Sequence, residues 1–348
     1  MAEKIAHIAE RAIGTAHPCY LIAEIGTTCG GDLEKARRLI AAASEAGMDA
    51  VKFQLIDPTQ VTDRSATYPV VVRGRTLHLN MREMFEKLRF SPKQWHELAD
   101  ICRQHKIDFL ATVDYLEGVD LLEEIGVAAH KIGAWDITYR QLIEKIGRTG
   151  KPMFADLGPA YWEDILKAVA WYQRAGGNAV LFMHDFHTQD DREMNLRAIR
   201  RLDAELPWPV GWSSPARDDD LDLAALALGA AYIEKRLILS RDEWVFHAHE
   251  SLEPEELSAW VGRLRHVERA LGQQLVLPSN RDLELSRLYF RSLFTVRNLP
   301  AGHRLTAADL EAKRPGTGLW PDQLEILVGR TLAHALPAES MVALEDLV

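Results

Sequence analysis

The feature that most constrains this chain is an alternation sustained from about residue 20 to 270, in which short apolar runs are separated by longer amphipathic stretches. Eight runs have strand length: YLIAEIG (20–26), AVKFQL (50–55), DFLATV (108–113), AHKIG (129–133), PMFADL (152–157), AVLFMH (179–184), VGWSS (210–214) and AYIEKR (231–236). Between them lie stretches such as LEKARRLIAAASEAG (33–47), DLAALALG (222–229) and PEELSAWVGRLRHVERALG (254–272). Their apolar spacing is near 3.6 and several stop at glycine, which reads as helix. Strand followed by helix, repeated, implies parallel sheet. Eight such units in about 250 residues predict a (β/α)8 TIM barrel.

The 348 residues leave room for a second domain. After Gly272 the pattern changes to a polar connector through LPSNRDLELSRLYFR, then to short segments, SLFTVRNLP, HRLTAADLEAKRPGTG and SMVALEDLV, with turns at PAG and PAE. The division predicted is a barrel over 1–272, a linker over 273–285 and a small domain over 286–348. Within the barrel, 56–92 is too long for a simple connection after the second strand, and its position makes it a candidate lid.

Composition narrows the function. With 47% hydrophobic and 26% charged residues and no run near the ~18 apolar residues of a spanning helix, neither a membrane protein nor a disordered chain fits. The 41 Lys and Arg against 51 Asp and Glu, a net charge of −10, oppose nucleic-acid binding and favour a small-molecule partner. Three cysteines, Cys19, Cys29 and Cys102, make neither a zinc knuckle nor a disulfide framework. The opening MAEKIAHIAERAIG lacks the pattern of a secretory signal. A reducing, cytoplasmic setting is expected.

Barrel active sites lie at the carboxyl ends of the strands. The residues there are Glu24, Lys52, Gln54, Thr112, Asp114, Lys131, Asp156, His184, Asp185, His187, Ser213, Ser214, Glu234, Lys235 and Arg236. An unpaired buried charge is costly, so this ring reads as a binding or active site. Its lysines and Arg236 suit an anionic substrate. The bland alternative is that Lys52, Lys131 and Lys235 pair structurally with Glu24, Asp114 and Glu234. Cys29, with no visible basic partner, is a weak candidate nucleophile. Trp162, Trp171, Trp208 and Trp260 read as packing, and Asp218 to Asp220 as a helix start.

The segments IAEIG (22–26), GDLEKARRLIAAASEAGMDAVKFQ (31–54), AHKIGAWDIT (129–138), GKP (150–152), NLRAI (195–199), ALGAAYIEK (227–235), SLEPEEL (251–257) and KRPGTG (313–318) resemble the sialic acid synthase family, the phosphoenolpyruvate-dependent nonulosonate synthases. The resemblance spans nearly the whole chain and implies a barrel followed by an antifreeze-like (SAF, β-clip) domain. It implies condensation of phosphoenolpyruvate with an N-acetylated hexosamine aldehyde, with loss of phosphate and use of a divalent metal, commonly manganese. It also implies a domain-swapped homodimer. By resemblance, Lys52, Thr112, Lys131 and Ser213 belong to the phosphoenolpyruvate site and Glu24 and Gln54 lie near the acceptor. Arg314 would come from the partner subunit.

The departures are informative. The two metal histidines of the family correspond to Pro215 and Arg236, neither of which can bind a divalent ion, so the usual manganese site should be lost. The family's NHNG-like stretch is TCGG (28–31), and serines of the phosphoenolpyruvate site are Ala134 and Asp156. Asp185 and His187 replace an acceptor-side Asn and Tyr, and His247 replaces an acidic residue. Three outcomes follow. In the first, Lys131 and Lys52 hold the donor, Arg236 supplies the missing charge, Lys235 counts among the substrate-binding residues, and Glu24 with His187 handles a sugar-like acceptor and proton transfer. In the second, phosphoenolpyruvate is abandoned for lyase, aldolase or hydrolase chemistry on a relocated metal held by His184, His187, His247 and His249 with nearby Asp. In the third, the barrel is a non-catalytic sugar-acid-binding scaffold.

Overall fold

The computed structural model describes residues 4–72, 75–185, 187–188, 190–243, 245, 247–273 and 275–348, with no side-chain detail for 70–72 and 75–77. The chain divides into two compact units, Met1–Gly272 and Gln273–Val348. Among the described residues no helix is long and apolar enough to cross a membrane.

The first unit is a closed barrel of eight parallel strands in chain order. They are β1 (Tyr20–Glu24), β2 (Ala50–Leu55), β3 (Asp108–Val113), β4 (His130–Ile132), β5 (Met153–Asp156), β6 (Val180–His184), β7 (Gly211–Ser213) and β8 (Tyr232–Arg236). β8 closes on β1 by pairing Arg236 with Glu24. All eight runs seen in the sequence are strands, so the expected barrel is borne out. The first covering helix, α1 (Leu33–Ala46), shows how the sequence sets its ends. The Asp32 side chain accepts from the Glu34 and Lys35 backbone N–H groups, and Gly47 closes the helix in a left-handed conformation. Ala36, Leu39, Ile40 and Ala43 form its buried stripe, one helical face against the barrel. The expected lid segment holds an antiparallel hairpin, Thr67–Val72 with Arg75–Asn80, flanked by the short helices Pro58–Val61 and Met81–Glu86.

The alternation of side chains along each strand decides which polar residues enter the barrel. Register places Ser213 beside Glu234, Gly211 beside Tyr232, and Arg236 beside Glu24, all facing inward. Gly211 is obligatory here, because a Cβ would lie 2.1 Å from the Tyr232 ring. The outward positions are then His184, Trp212 and Lys235. Two expectations are corrected on this ground. Lys235 does not reach the cleft; its Nζ donates to Asp222 Oδ2 (2.7 Å), Ser214 Oγ (3.0 Å) and the carbonyls of Ala216 (2.6 Å) and Asp218 (3.0 Å). Asp222, on the helix Asp220–Ala227, also accepts from Trp212 Nε1 (2.9 Å) and Trp260 Nε1 (2.8 Å). His184 packs outward against the Trp212 ring, with its Nε2 2.8 Å from the Met194 carbonyl.

The second unit opens with the helix Asn280–Tyr289, which occupies part of the segment read as connector. Strands Ser292–Thr295 and Leu310–Lys313 pair antiparallel over a small core that includes Leu293, Leu299, Leu305, Leu327, Leu332 and Val342. Arg314 is exposed; its Nε donates to the Tyr289 carbonyl (3.0 Å) and its guanidinium lies over the Tyr289 ring.

Lys235→Met would strand Asp222 as a buried charge, and should cost about 3–5 kcal/mol in urea unfolding. Adding Asp222→Asn should recover much of the loss. A Lys235→Met protein of unchanged stability would contradict the outward placement.

Candidate active site

The carboxyl ends of the strands carry a buried ionic cluster. Lys131 on β4 is fully buried, and its Nζ donates to Glu234 Oε2 at 2.6 Å and lies 3.2 Å from Met183 Sδ. Lys52 on β2 reaches the other Glu234 oxygen at 2.7 Å. One carboxylate on β8 thus joins two lysines from across the barrel. Asp156 Oδ1 is 3.0 Å from Lys131 Nζ but off the direction of a hydrogen bond. Burial alone would lower Lys131, yet Asp156 and Glu234 outweigh it and hold the ammonium well above its ordinary value. Burial opposes ionisation of Glu234, and the two lysines reverse this, keeping it ionised far below its usual range. The lysine–Glu234 pairing read from the sequence as the bland alternative is present in part. Lys52 and Lys131 share one acid, whereas Glu24 binds its own turn by accepting from Gly26 N (3.0 Å) and Thr27 Oγ1 (3.4 Å).

Around this cluster lie polar groups with capacity to spare. Thr112, in register with Gln54 and Lys131, is buried, and its hydroxyl has no partner among the described residues. Gln54 is half-buried and Ser213 buried. Beyond β6, Asp185 is pushed up to about 7, first by burial and then by Asp156, with Lys131 and Arg236 opposing. His187 Nε2 lies 3.8 Å from Asp185 Oδ2, and burial lowers its pKa, which favours the neutral imidazole.

At the end of β8 Arg236 Nη1 lies 3.2 Å from Glu250 Oε2, and the same oxygen is 3.0 Å from His247 Nδ1. His247 adopts a left-handed backbone, φ 62°. Burial raises Glu250, but His247 and Arg236 prevail and hold it low. The relocated metal centre fails on geometry. His184 points away from the cleft, His249 is 87% exposed 3.8 Å from Glu250, and His247 is held by Glu250. Among the described residues no group of three or more His, Cys, Asp or Glu is placed to hold a metal. Of the residues that the sequence resemblance sets against the family's metal histidines, Pro215 has no side-chain donor and Arg236 carries its own charge, so neither fits a divalent ion. Cys29 is fully buried, its thiol pushed up to about 12 chiefly by burial, which disfavours the nucleophile reading.

Three residues escaped the sequence reading: Glu250, Asp136 and Trp135. Glu250 had a signal, lying three residues after His247. Asp136 follows β4 and pairs with Asp114; both carboxyls are raised, first by burial, with Asp136 adding to the effect on Asp114.

The family model described as NeuB family matches residues 39–275, and a SAF domain model matches 290–348. The chain belongs to the NeuB family. The motif resemblance is borne out over both units. An uncharacterized protein of Methanocaldococcus jannaschii is 30% identical, covering 99% of both chains. The N-acetylneuraminate-9-phosphate synthase of Homo sapiens is 29% identical over 97% of this chain and 95% of its own. A crystal structure of N-acetylneuraminic acid (sialic acid) synthetase from Leptospira borgpetersenii serovar Hardjo-bovis, in complex with citrate, superimposes with a TM-score of 0.72 at 26% identity, covering 81% of this chain and 95% of that one. In this NeuB barrel the fold is the family's.

Because the Asp185 pKa is raised on folding, its ionisation costs stability as pH climbs from about 4 to about 7, and the cost is full above that. Asp185→Asn should therefore raise Tm, by a margin that grows across this window and levels off at higher pH. A margin independent of pH would show that Asp185 is ionised at no cost.

Proposed function

We propose that the protein forms a carbon–carbon bond between an anionic donor, phosphoenolpyruvate or a related α-keto acid, and a sugar or sugar-like aldehyde. The observation that carries this reading is the pair of buried lysines, Lys52 and Lys131, meeting on Glu234 beside the unpartnered hydroxyl of Thr112. Ammonium groups held rigidly in a low-dielectric site are pre-organised for a carboxylate or phosphate. Membership of a family that includes synthases of N-acetylneuraminate and its 9-phosphate supports the reaction class.

In the condensation, the C=C electron pair of phosphoenolpyruvate attacks the aldehyde carbon, and negative charge develops on the aldehyde oxygen, which takes up a proton. Water adds to the cationic C2 left on the donor, loses a proton, and the phosphate departs as C2 becomes the ketone. Arg236 is the group assigned to the aldehyde oxygen. Its tie to Glu250 sets the guanidinium at the end of β8 with donors remaining, because a guanidinium carries five N–H bonds. Glu24 and His187 handle proton transfer at the acceptor, delivering a proton to the new hydroxyl and accepting one from the attacking water, and Gln54 and Ser213 line the cleft. Lys52 and Lys131 already face Glu234 and Asp156, two charges against two. Binding an anion should therefore draw a proton onto Asp185, whose carboxyl burial and Asp156 already hold above its usual range.

Asp156 favours a second reading. A carboxylate on Lys131 disfavours a phosphate there, and a barrel aldolase or lyase acting without phosphoenolpyruvate would be compatible with it. Arg314 enters the first reading only through a homodimer, and a monomer by light scattering would remove it from the site.

Calorimetric titration of phosphoenolpyruvate into metal-stripped protein, repeated with manganese, separates these readings. Binding without metal, accompanied by proton uptake, is expected. Arg236→Ala should abolish turnover and leave Tm within a few degrees. Absence of binding under both conditions would favour the second reading, and full activity of Arg236→Ala would end the charge-replacement idea.

A further inference from the structure

The connection after β4 is a single 3-10 turn, Ala134–Asp136, and it displays three consecutive residues in three different ways. Ala134 is buried. Trp135 projects outward and is 70% exposed, although a tryptophan is the side chain that gains most from burial. Asp136 turns back to Asp114, just beyond β3.

The exposed Trp135 ring has one face engaged. It lies 5.0 Å from the His187 ring, tilted by 35°, so an indole from the β4 connection and an imidazole from the β6 connection form one surface. Gly158, on the intervening β5 connection, makes room for this. Its φ is +42°, and a Cβ there would fall 2.4 Å from Ala134 Cβ and 3.6 Å from His187 Cε1.

Beside the rings lies a polar counterpart. A Cβ built on Gly133 would sit 3.9 Å from Asp136 Oδ2, 4.0 Å from Asp114 Oδ1 and 3.8 Å from Thr112 Cγ2, so the two carboxyls converge where Thr112 keeps its unpartnered buried hydroxyl. Both carboxyls are raised, first by burial and, for Asp114, then by Asp136, which favours one proton kept between them, and Lys52 is the cation that acts on Asp114. Such a pair both donates to and accepts from hydroxyl groups. Two carboxyls with one proton between them would repel a phosphate brought against them.

We propose that the Trp135–His187 ring pair, with Asp114 and Asp136 beside it, is the specificity subsite for the acceptor, taking an uncharged polyhydroxylated sugar and rejecting its phosphorylated form. The indole face receives the C–H side of the sugar and the carboxyl pair its hydroxyls. This deepens the reading of the barrel as a sugar-condensing enzyme and rests on it, but it is tested without turnover. In saturation-transfer NMR on the full chain, the probes are free N-acetylmannosamine and its 6-phosphate. The free sugar should bind the wild type, Trp135→Ala should weaken it about tenfold or more, and Trp135→Phe should restore most of the loss. Phosphoenolpyruvate titration of Trp135→Ala should match the wild type. Equal binding of the free sugar to Trp135→Ala, preference for the 6-phosphate, or no binding of the free sugar to the wild type would each overturn the subsite. So would a change of oligomeric state in Trp135→Ala with sugar binding intact, since the ring would then be a contact between chains. Sugar binding that depends on Trp135 in a protein that ignores phosphoenolpyruvate would remove the donor and keep the subsite.

Discussion

A single carboxylate, Glu234, buried between two ammonium groups, is the constraint on which the rest of the site depends. Desolvating any one of these ions alone would be prohibitive, and together they are tolerable because each neutralises another at hydrogen-bond distance. The arrangement demands a closed barrel: Lys52 comes from β2, Lys131 from β4 and Glu234 from β8, and only closure brings these strands around one interior. Asp156 completes the charge balance of that cluster. Asp185 is a further acid beside it, and burial, then Asp156, makes it resist ionisation.

The outer face of the same strand carries a second buried pair with a different purpose. Lys235, one residue from Glu234, turns into the helix layer and satisfies four acceptors there, and Asp222 gathers two indole N–H groups as well. This fastens the helix Asp220–Ala227 and Trp260 to β8 and so fixes the strand whose inner face holds Glu234 and Arg236. Stability and chemistry are thus separated by the pleat of one strand.

Among the described residues, the positive charge at the strand ends comes from Lys52, Lys131 and Arg236. Arg236 is a cation that needs no ligands, and Glu250 orients it while also binding His247. The mouth of the barrel is further marked by Trp135 and the Asp114–Asp136 pair, groups suited to hydroxyls and apolar ring faces. The lysine cluster is thus charge-balanced by Glu234 and Asp156, and the Asp114–Asp136 pair is acidic.

The sequence by itself determined the barrel, because eight strand–helix periods leave few other ways to cover a parallel sheet, and it determined the two-part chain through the change of pattern after Gly272. It also indicated Lys52, Thr112, Lys131, Ser213 and Glu24 through their places at strand ends. Part of what was misread was legible in principle: once Glu234 and Arg236 face inward, a period of two sends Lys235 outward, and the same rule removes His184. Tertiary structure alone decided the partners. That Asp222 takes Lys235, that Glu250 holds Arg236 and His247 together, and that Trp135 meets His187 across Gly158 depends on distances between connections far apart in the chain. Local periodicity carries no information about such distances, since loop conformation and strand closure set them together.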